Sequence, residues 1–177
     1  EALNWMPRWS ILGRVIEAAT WHAADVIPAS SDCKALLGRV GRTRYPMQIT
    51  ELFFSMQGEG KNVGLPTIFV RTTGCNLRCS YCDTTYAYVD GEYMEISDIV
   101  AVMQQWNCPR VCLTGGEPLL QEEMPELIEV LLAEGYSVEV ETNGSQDISW
   151  LTKKEISVSM DIKCPSSEMQ ADMIMDN

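Results

Sequence analysis

Cys75, Cys79 and Cys82 form a Cys-x3-Cys-x2-Cys run, CNLRCSYC, directly after the apolar stretch PTIFVRTTG. Three thiolates within eight residues can hold three irons of a 4Fe-4S cluster and leave the fourth iron open. Thiolates suit iron-sulfur clusters and zinc alike. A closed structural zinc site wants four ligands and usually pairs two Cys-x2-Cys knuckles, and the sequence holds no second knuckle. Spacing alone leaves cluster, zinc and unrelated core thiols all open. A second candidate group is Thr114-Gly115-Gly116-Glu117-Pro118, which follows the apolar residues 111–113. Two glycines at a strand end let the backbone approach a ligand closely, and they equally suit an ordinary strand-to-helix turn. A third is Gln57-Gly58-Glu59-Gly60, whose glycines by themselves fit a surface turn.

The cysteine run and the glycine motif together resemble the radical S-adenosylmethionine (SAM) superfamily. The longer run ELFFSMQGEGKNVGLPTIFVRTTGCNLRCSYCDTTYAY looks like the opening of the 7-carboxy-7-deazaguanine synthase family, and the likeness extends over residues 47–168. The resemblance implies a 4Fe-4S cluster on Cys75, Cys79 and Cys82, SAM on the open iron, and Mg2+ beside Thr84. It implies a pterin site made by Met56, Gln57, Gly58, Glu59, Arg71 and Thr114, and SAM contacts from Gly116 and Lys163. The family usually reads Ser-Pro-Lys where this chain has Asp161-Ile162-Lys163; Lys163 is the matched residue, Asp161 a weaker one, and Ser159 a substitute for the missing hydroxyl. The implied reaction converts 6-carboxy-5,6,7,8-tetrahydropterin to 7-carboxy-7-deazaguanine with loss of ammonia, feeding deazapurine biosynthesis for modified tRNA. Implied partners are the pterin, an electron donor such as flavodoxin, and a second subunit in a homodimer. Two alternatives stand beside this reading. One is a radical SAM activating enzyme that makes a glycyl radical on a partner protein, and the other is a non-catalytic metal or electron-transfer module.

Composition bounds these readings. The chain has 177 residues, of which 46% are hydrophobic and 21% charged, as expected of a globular domain with a sizeable core. No apolar run reaches the length of a membrane span, and the amino-terminal stretch lacks the continuous apolar region of a secretory signal. Seven cysteines, three of them clustered, fit a reducing cytoplasm better than a disulfide framework. Cys33, Cys108, Cys112 and Cys164 are read as small packed hydrophobes or incidental thiols. A formal charge of -12 argues against a broad electrostatic grip on nucleic acid.

The charge is uneven. Of 13 basic and 25 acidic residues, six basic and four acidic lie in residues 1–46, while seven basic and twenty-one acidic lie in 47–177. Trp5, Trp9, Trp21 and the single histidine, His22, also fall in the leading segment. Residues 1–46 are therefore expected to be an appended stretch, either non-native or an accessory extension with a short helix over 11–23. Residues 47–177 are expected to be a radical SAM core domain, incomplete at its carboxy-terminal end.

The elements that must position these groups follow from residue type. Residues 48–54 and 67–72 have the β-branched and aromatic character of strands, with the glycine-bearing loop between them. Ser97 is a candidate N-cap for a helix carrying Ile99, Val102, Met103 and Trp106 on one face, ended by Asn107. Residues 110–113 form the next strand, Pro125 suits the first turn of a helix through Leu132, and Gly135 can end it in a left-handed cap. Residues 136–141 and 156–162 add two strands. Strands alternating with helices imply a parallel sheet built from crossover units, with the cysteines, Gly116, Asn143 and Lys163 at carboxy-terminal strand ends. The expected fold class is α/β, a partial, modified (β/α) barrel of the radical SAM type.

Overall fold

The computed structural model describes residues 46–177. The expected helix over 11–23, His22, Cys33 and the tryptophans of the leading segment lie outside the described residues. Six strands, β1 (Met47–Met56), β2 (Pro66–Thr72), β3 (Glu92–Met94), β4 (Arg110–Gly115), β5 (Ser137–Thr142) and β6 (Ser157–Met160), form one sheet in the order β3-β1-β2-β4-β5-β6. Two α-helices, α1 (Ile96–Met103) and α2 (Met124–Ala133), connect β3 to β4 and β4 to β5.

Strands β2, β4, β5 and β6 run parallel, as the alternation of strands and helices predicts. The sheet is mixed at its start, where β1 pairs antiparallel with both β2 and β3. The reason is chain length. Only residues 57–65 join β1 to β2, and a parallel crossover needs a dozen residues or more, whereas an antiparallel return does not. The three-residue edge strand β3 carried no legible signal.

Side-chain alternation gives the sheet two different faces. Ile68 and Val70, Val111 and Leu113, and Val138 and Val140 point to one side, where they pack with Ile99, Val100, Met103, Leu127, Ile128 and Leu131 from the helices. Each such aliphatic side chain, wholly removed from water, contributes about 1.5–3 kcal/mol. The intervening residues Phe69, Arg71, Cys112, Thr114, Glu139 and Glu141 turn to the other side. Helices on one face and a polar hollow on the other are the layout of a partial barrel.

Strand β1 keeps to this scheme through a β-bulge. Ile49 pairs with Thr72, yet Glu51 pairs with the adjacent Arg71, so Thr50 is an extra residue on β1. The bulge lets Ile49 and Leu52 both reach the core, at 3% exposure each, while Glu51 and Phe53 face the hollow. Phe53 stacks on Phe69 with ring centroids 4.8 Å apart.

Helix boundaries differ slightly from expectation. Helix α1 begins at Ile96 with Glu95, not Ser97, at the N-cap position, and Gln104 follows its last residue. Trp106 lies beyond the helix and packs against the core, its ring 6.5 Å from that of Phe54. After α2, Gly135 takes the left-handed conformation at φ +85°, as its position predicts. Strand β6 ends at Met160, so Asp161 and Lys163 lie in the loop beyond it.

Candidate active site

The polar face of the sheet opens into one cavity of about 520 Å3. The loop after β2 brings Cys75, Cys79 and Cys82 to its wall. Each thiol is partly buried. Among the described residues no three His, Cys, Asp or Glu side chains converge to hold a single metal ion. The Leu77 N–H donates to Cys75 Sγ at 3.4 Å and Asn143 Nδ2 does so at 3.7 Å. Burial raises the Cys75 thiol above its usual range, and these two donors oppose that shift. Tyr88 hydrogen-bonds Cys82, which with burial pushes its phenol up to about 12. The Arg78 guanidinium sits over the Tyr88 ring at 4.3 Å. Loop anchoring comes from Ser80, whose hydroxyl donates to Ser166 O at 2.6 Å.

Gly116, at the end of β4, lies against this loop. Its N–H donates to Thr72 O at 3.2 Å, and the Glu117 N–H donates to Gly74 O at 2.8 Å. A Cβ at Gly116 would stand 2.2 Å from Gly74 O and 2.8 Å from Cys75 Cβ. Only a glycine therefore lets the β4 turn and the cysteine loop meet. Three partly buried thiols, N–H donors aimed at the Cys75 sulfur and a half-buried glycine turn beside them fit a 4Fe-4S cluster with SAM on its open iron.

From the other side, residues 57–65 fold over the polar face. Gln57, 3% exposed, donates through Nε2 to Glu141 at 2.9 Å and to Glu139 at 3.3 Å, while its Oε1 accepts from the Glu59 N–H. Asn62 Nδ2 donates to Glu139 at 3.0 Å. The Gln57 amide thus ties the loop to β5, leaving the loop backbone with Met56 and Gly58 to line the cavity. Glu59 is raised above the usual carboxylate range, first by the charge of Glu141, then by burial and by Asp161, Asp83 and Glu139. The cavity is distinctly acidic on this side.

Arg71 and Thr114 stand side by side on paired positions of β2 and β4, both facing the cavity. Arg71 Nε donates to Glu51 Oε1 at 2.7 Å, and the same oxygen accepts from the Tyr86 hydroxyl at 2.8 Å. The rings of Phe53 and Tyr86 flank the guanidinium at 5.7 and 5.9 Å. Thr84 also lines the cavity, where its hydroxyl donates to Asp83 Oδ1 at 2.8 Å. Ser159, Asp161 and Lys163 close the remaining wall. Lys163 Nζ donates to Asp161 Oδ2 at 2.5 Å. Burial works against the Lys163 charge, but Asp161 outweighs it and the net shift is upward.

Every site residue expected from the sequence thus lines one cavity. Sequence reasoning missed Glu51, Tyr86, Tyr88, Glu139 and Glu141, which come from strand positions or turns with no motif of their own. Glu139 and Glu141 did carry a signal, since two carboxylates at alternate positions of an otherwise apolar strand must share a face.

Residues 69–173 match the family described as the Radical SAM superfamily. The 7-carboxy-7-deazaguanine synthase of Methanospirillum hungatei is 49% identical over 122 residues, 68% of this chain and 52% of that protein. The enzyme of the same name from Thermoplasma acidophilum is 39% identical over 132 residues, 74% of this chain and 63% of that protein. The chain therefore spans between half and two thirds of the length of these relatives. Among solved structures, the crystal structure of QueE from Escherichia coli superposes with a TM-score of 0.51 at 26% identity, covering 73% of this chain and 61% of that one.

Proposed function

The chain belongs to the radical SAM superfamily, and from that premise we propose that it forms the core of a 7-carboxy-7-deazaguanine synthase acting on 6-carboxy-5,6,7,8-tetrahydropterin. The observation that carries this reading is convergence. The cysteine loop, the Gly116 turn, the Gln57–Gly60 loop and Arg71 reach one cavity from four separate parts of the chain.

A 4Fe-4S cluster and SAM held in this cavity would supply radical hydrogen abstraction, the chemistry that a ring contraction of the pterin with loss of ammonia requires. The protein's own contribution is ligation, orientation and exclusion of water. In this reading Cys75, Cys79 and Cys82 hold the cluster, and the backbone of Gly116 with Ser159, Asp161 and Lys163 holds SAM. Arg71, set by Glu51 and flanked by two rings, presents a planar cation to the substrate carboxylate. Thr114, Met56, Gln57, Gly58 and Glu59 enclose the pterin ring, and Thr84 supplies an oxygen for Mg2+ at the carboxylate. The electron enters from a donor such as flavodoxin, and the enzyme works in the cytoplasm as a homodimer without contacting nucleic acid. No helix among the described residues is long and apolar enough to cross a membrane. The glycyl-radical activating enzyme and the non-catalytic metal module are not favoured, since the relatives above carry the synthase name.

The test is anaerobic reconstitution with iron and sulfide, followed by electron paramagnetic spectra with and without SAM and by product analysis with the pterin. The expected result is a SAM-dependent change in the cluster signal and formation of the deazaguanine carboxylate with one ammonia per turnover. SAM cleavage without pterin consumption would remove the synthase reading and leave the superfamily.

A further inference from the structure

Glu117 is wholly buried, and its carboxylate is encircled by donors. Oε1 accepts from the Leu119 N–H at 3.0 Å and the Thr142 hydroxyl at 2.8 Å, while Oε2 accepts from the Asn143 N–H at 2.7 Å. One side chain from the turn after β4 therefore fixes the turn after β5. The position it fixes is that of Asn143, itself 6% exposed. The Asn143 amide has only one workable orientation. Its Oδ1 accepts from the Ser145 N–H at 2.9 Å, so Nδ2 must face the other way, toward Asn76 Oδ1 at 3.3 Å and Cys75 Sγ at 3.7 Å. A buried carboxylate, a locked amide and a cysteine sulfur thus form a continuous chain, Glu117 to Asn143 to Cys75.

From this geometry we infer that Glu117 and Asn143 are positioning residues that tune the reduction potential of the cluster through Cys75. The inference rests on the reading above, in which Cys75 is a cluster ligand. An N–H donor to a ligating sulfur favours the reduced cluster, which carries the larger negative charge, and hydrogen bonds to sulfur are among the factors that set such potentials. Glu117 acts at one remove. It holds no cluster atom, but without its Oε2 the Asn143 backbone, and with it the amide, is free to turn away from the sulfur. The Leu77 N–H remains on Cys75, so removal of the Asn143 amide weakens the donor set without abolishing it.

Three variants of the full chain test this: Asn143→Leu, which keeps the volume and removes the donor; Asn143→Asp, which keeps the acceptor for the Ser145 N–H; and Glu117→Gln. A glutamine at 117 has one carbonyl oxygen for three donors. The primary readout is the midpoint potential of the reconstituted cluster. Asn143→Leu is expected to lower the reduction equilibrium on the order of tenfold, about 59 mV more negative for a one-electron couple, and Asn143→Asp to lower it further through its charge. Glu117→Gln frees the amide but also removes a negative charge that acts on Cys75, two effects of opposite sign. Its relay effect is therefore read from the double variant Glu117→Gln/Asn143→Leu: the shift that Glu117→Gln makes in wild type should be more negative than the shift it makes in the Asn143→Leu background, where no amide is left to release. A second readout needs no cluster: in the apo-protein, Glu117→Gln should speed hydrogen exchange of the Asn143 backbone amide. A wild-type potential in Asn143→Leu, additive shifts in the double variant, or unchanged Asn143 exchange would each overturn the relay. A wild-type chain that takes up no cluster would instead overturn the ligand reading on which the relay stands.

Discussion

Replacing Gly116 with alanine puts a single methyl group at the tightest point of the site. Its Cβ would lie 2.2 Å from the Gly74 oxygen, 2.7 Å from the Gly74 carbonyl carbon and 2.8 Å from Cys75 Cβ. Non-bonded carbon contacts settle at about 3.5–4.0 Å, so the overlap with the oxygen exceeds roughly 1 Å. None of these atoms can rotate aside, as two are backbone and the third is fixed to it. Relief requires the segment at Gly74 and Cys75 to withdraw from the end of β4. That motion stretches the Gly116 N–H bond to Thr72 O and the Glu117 N–H bond to Gly74 O. Overpacking costs about 1–3 kcal/mol and each of the two weakened hydrogen bonds about 0.5–1.5 kcal/mol, giving an expected loss of about 2–6 kcal/mol. Urea unfolding of the apo-protein measures that loss, and iron per chain after reconstitution reports whether Cys75 still reaches its place. Gly58→Ala is the control, because no atom lies within 4 Å of its added methyl and its backbone is not left-handed. Its stability should stay within about 0.5 kcal/mol of wild type. A Gly116→Ala variant with the wild-type urea midpoint and full cluster content would refute the steric argument.

Arg71→Lys keeps the charge but loses the fork, and should weaken pterin binding roughly ten- to hundredfold, equivalent to about 1.5–3 kcal/mol, with SAM binding unchanged. Equal pterin affinity in a titration would reduce Arg71 to the ion-pair partner of Glu51. Cys79→Ala should abolish cluster assembly and SAM cleavage, whereas Cys108→Ala, at a buried thiol outside the cavity near Pro66 O, should leave iron content intact. Burial raises the Glu117 carboxyl above its ordinary 4.5, so the stability it contributes is full below about pH 4.5 and is lost as pH rises through its folded-state value. Thermal unfolding followed upward from pH 4.5 should show wild type losing ground to Glu117→Gln, and a parallel pair of curves would contradict the shift. In native apo-protein Cys164, which is exposed, should alkylate readily, while Cys112, buried beside Glu141 and Glu139 and raised by that environment, should react only after unfolding; mass mapping of the modified sites decides.

The motifs were legible because each concentrates rare residue types at close spacing. Cys75, Cys79 and Cys82 need no long-range information to be noticed, and neither does the pair Gly115 and Gly116. What sequence could not show is what each side chain does besides facing the cavity. Gln57 was expected at the substrate site and lines it, yet its amide is engaged by Glu139 and Glu141, 82 and 84 residues away. Glu51 and Tyr86 escaped notice because they matter only through Arg71, and that contact depends on strand pairing and on a loop turning back. The antiparallel entry of β1 was readable from the short connection of residues 57–65, but the pattern of alternating strands and helices masked it. The β-bulge left no trace. Thr50 is an unremarkable strand residue, and only the pairing of its neighbours reveals that it is surplus.

That surplus residue acts as a phase shift in the strand, much as an inserted letter changes a reading frame. Upstream of Thr50 the odd positions Met47 and Ile49 serve the core, and downstream the odd positions Glu51, through its bond with Arg71, and Phe53 serve the cavity. Deleting Thr50 would set Ile49 directly before Glu51 on opposite faces, so plain alternation would keep both roles in the observed register. Keeping Thr50 but straightening the bulge would instead carry either Glu51 toward the helices or Met47 and Ile49 into the hollow. The other strands keep one phase throughout, so the cavity wall and the helix-packing face can change independently along them. Phe69, Cys112 and Glu139 are open to substitution by a lineage or an engineer seeking a different ligand while Ile68, Val111 and Val138 stay as they are. In β1 the two inheritances meet at a single surplus residue, and a one-residue deletion there should be the best tolerated in the sheet.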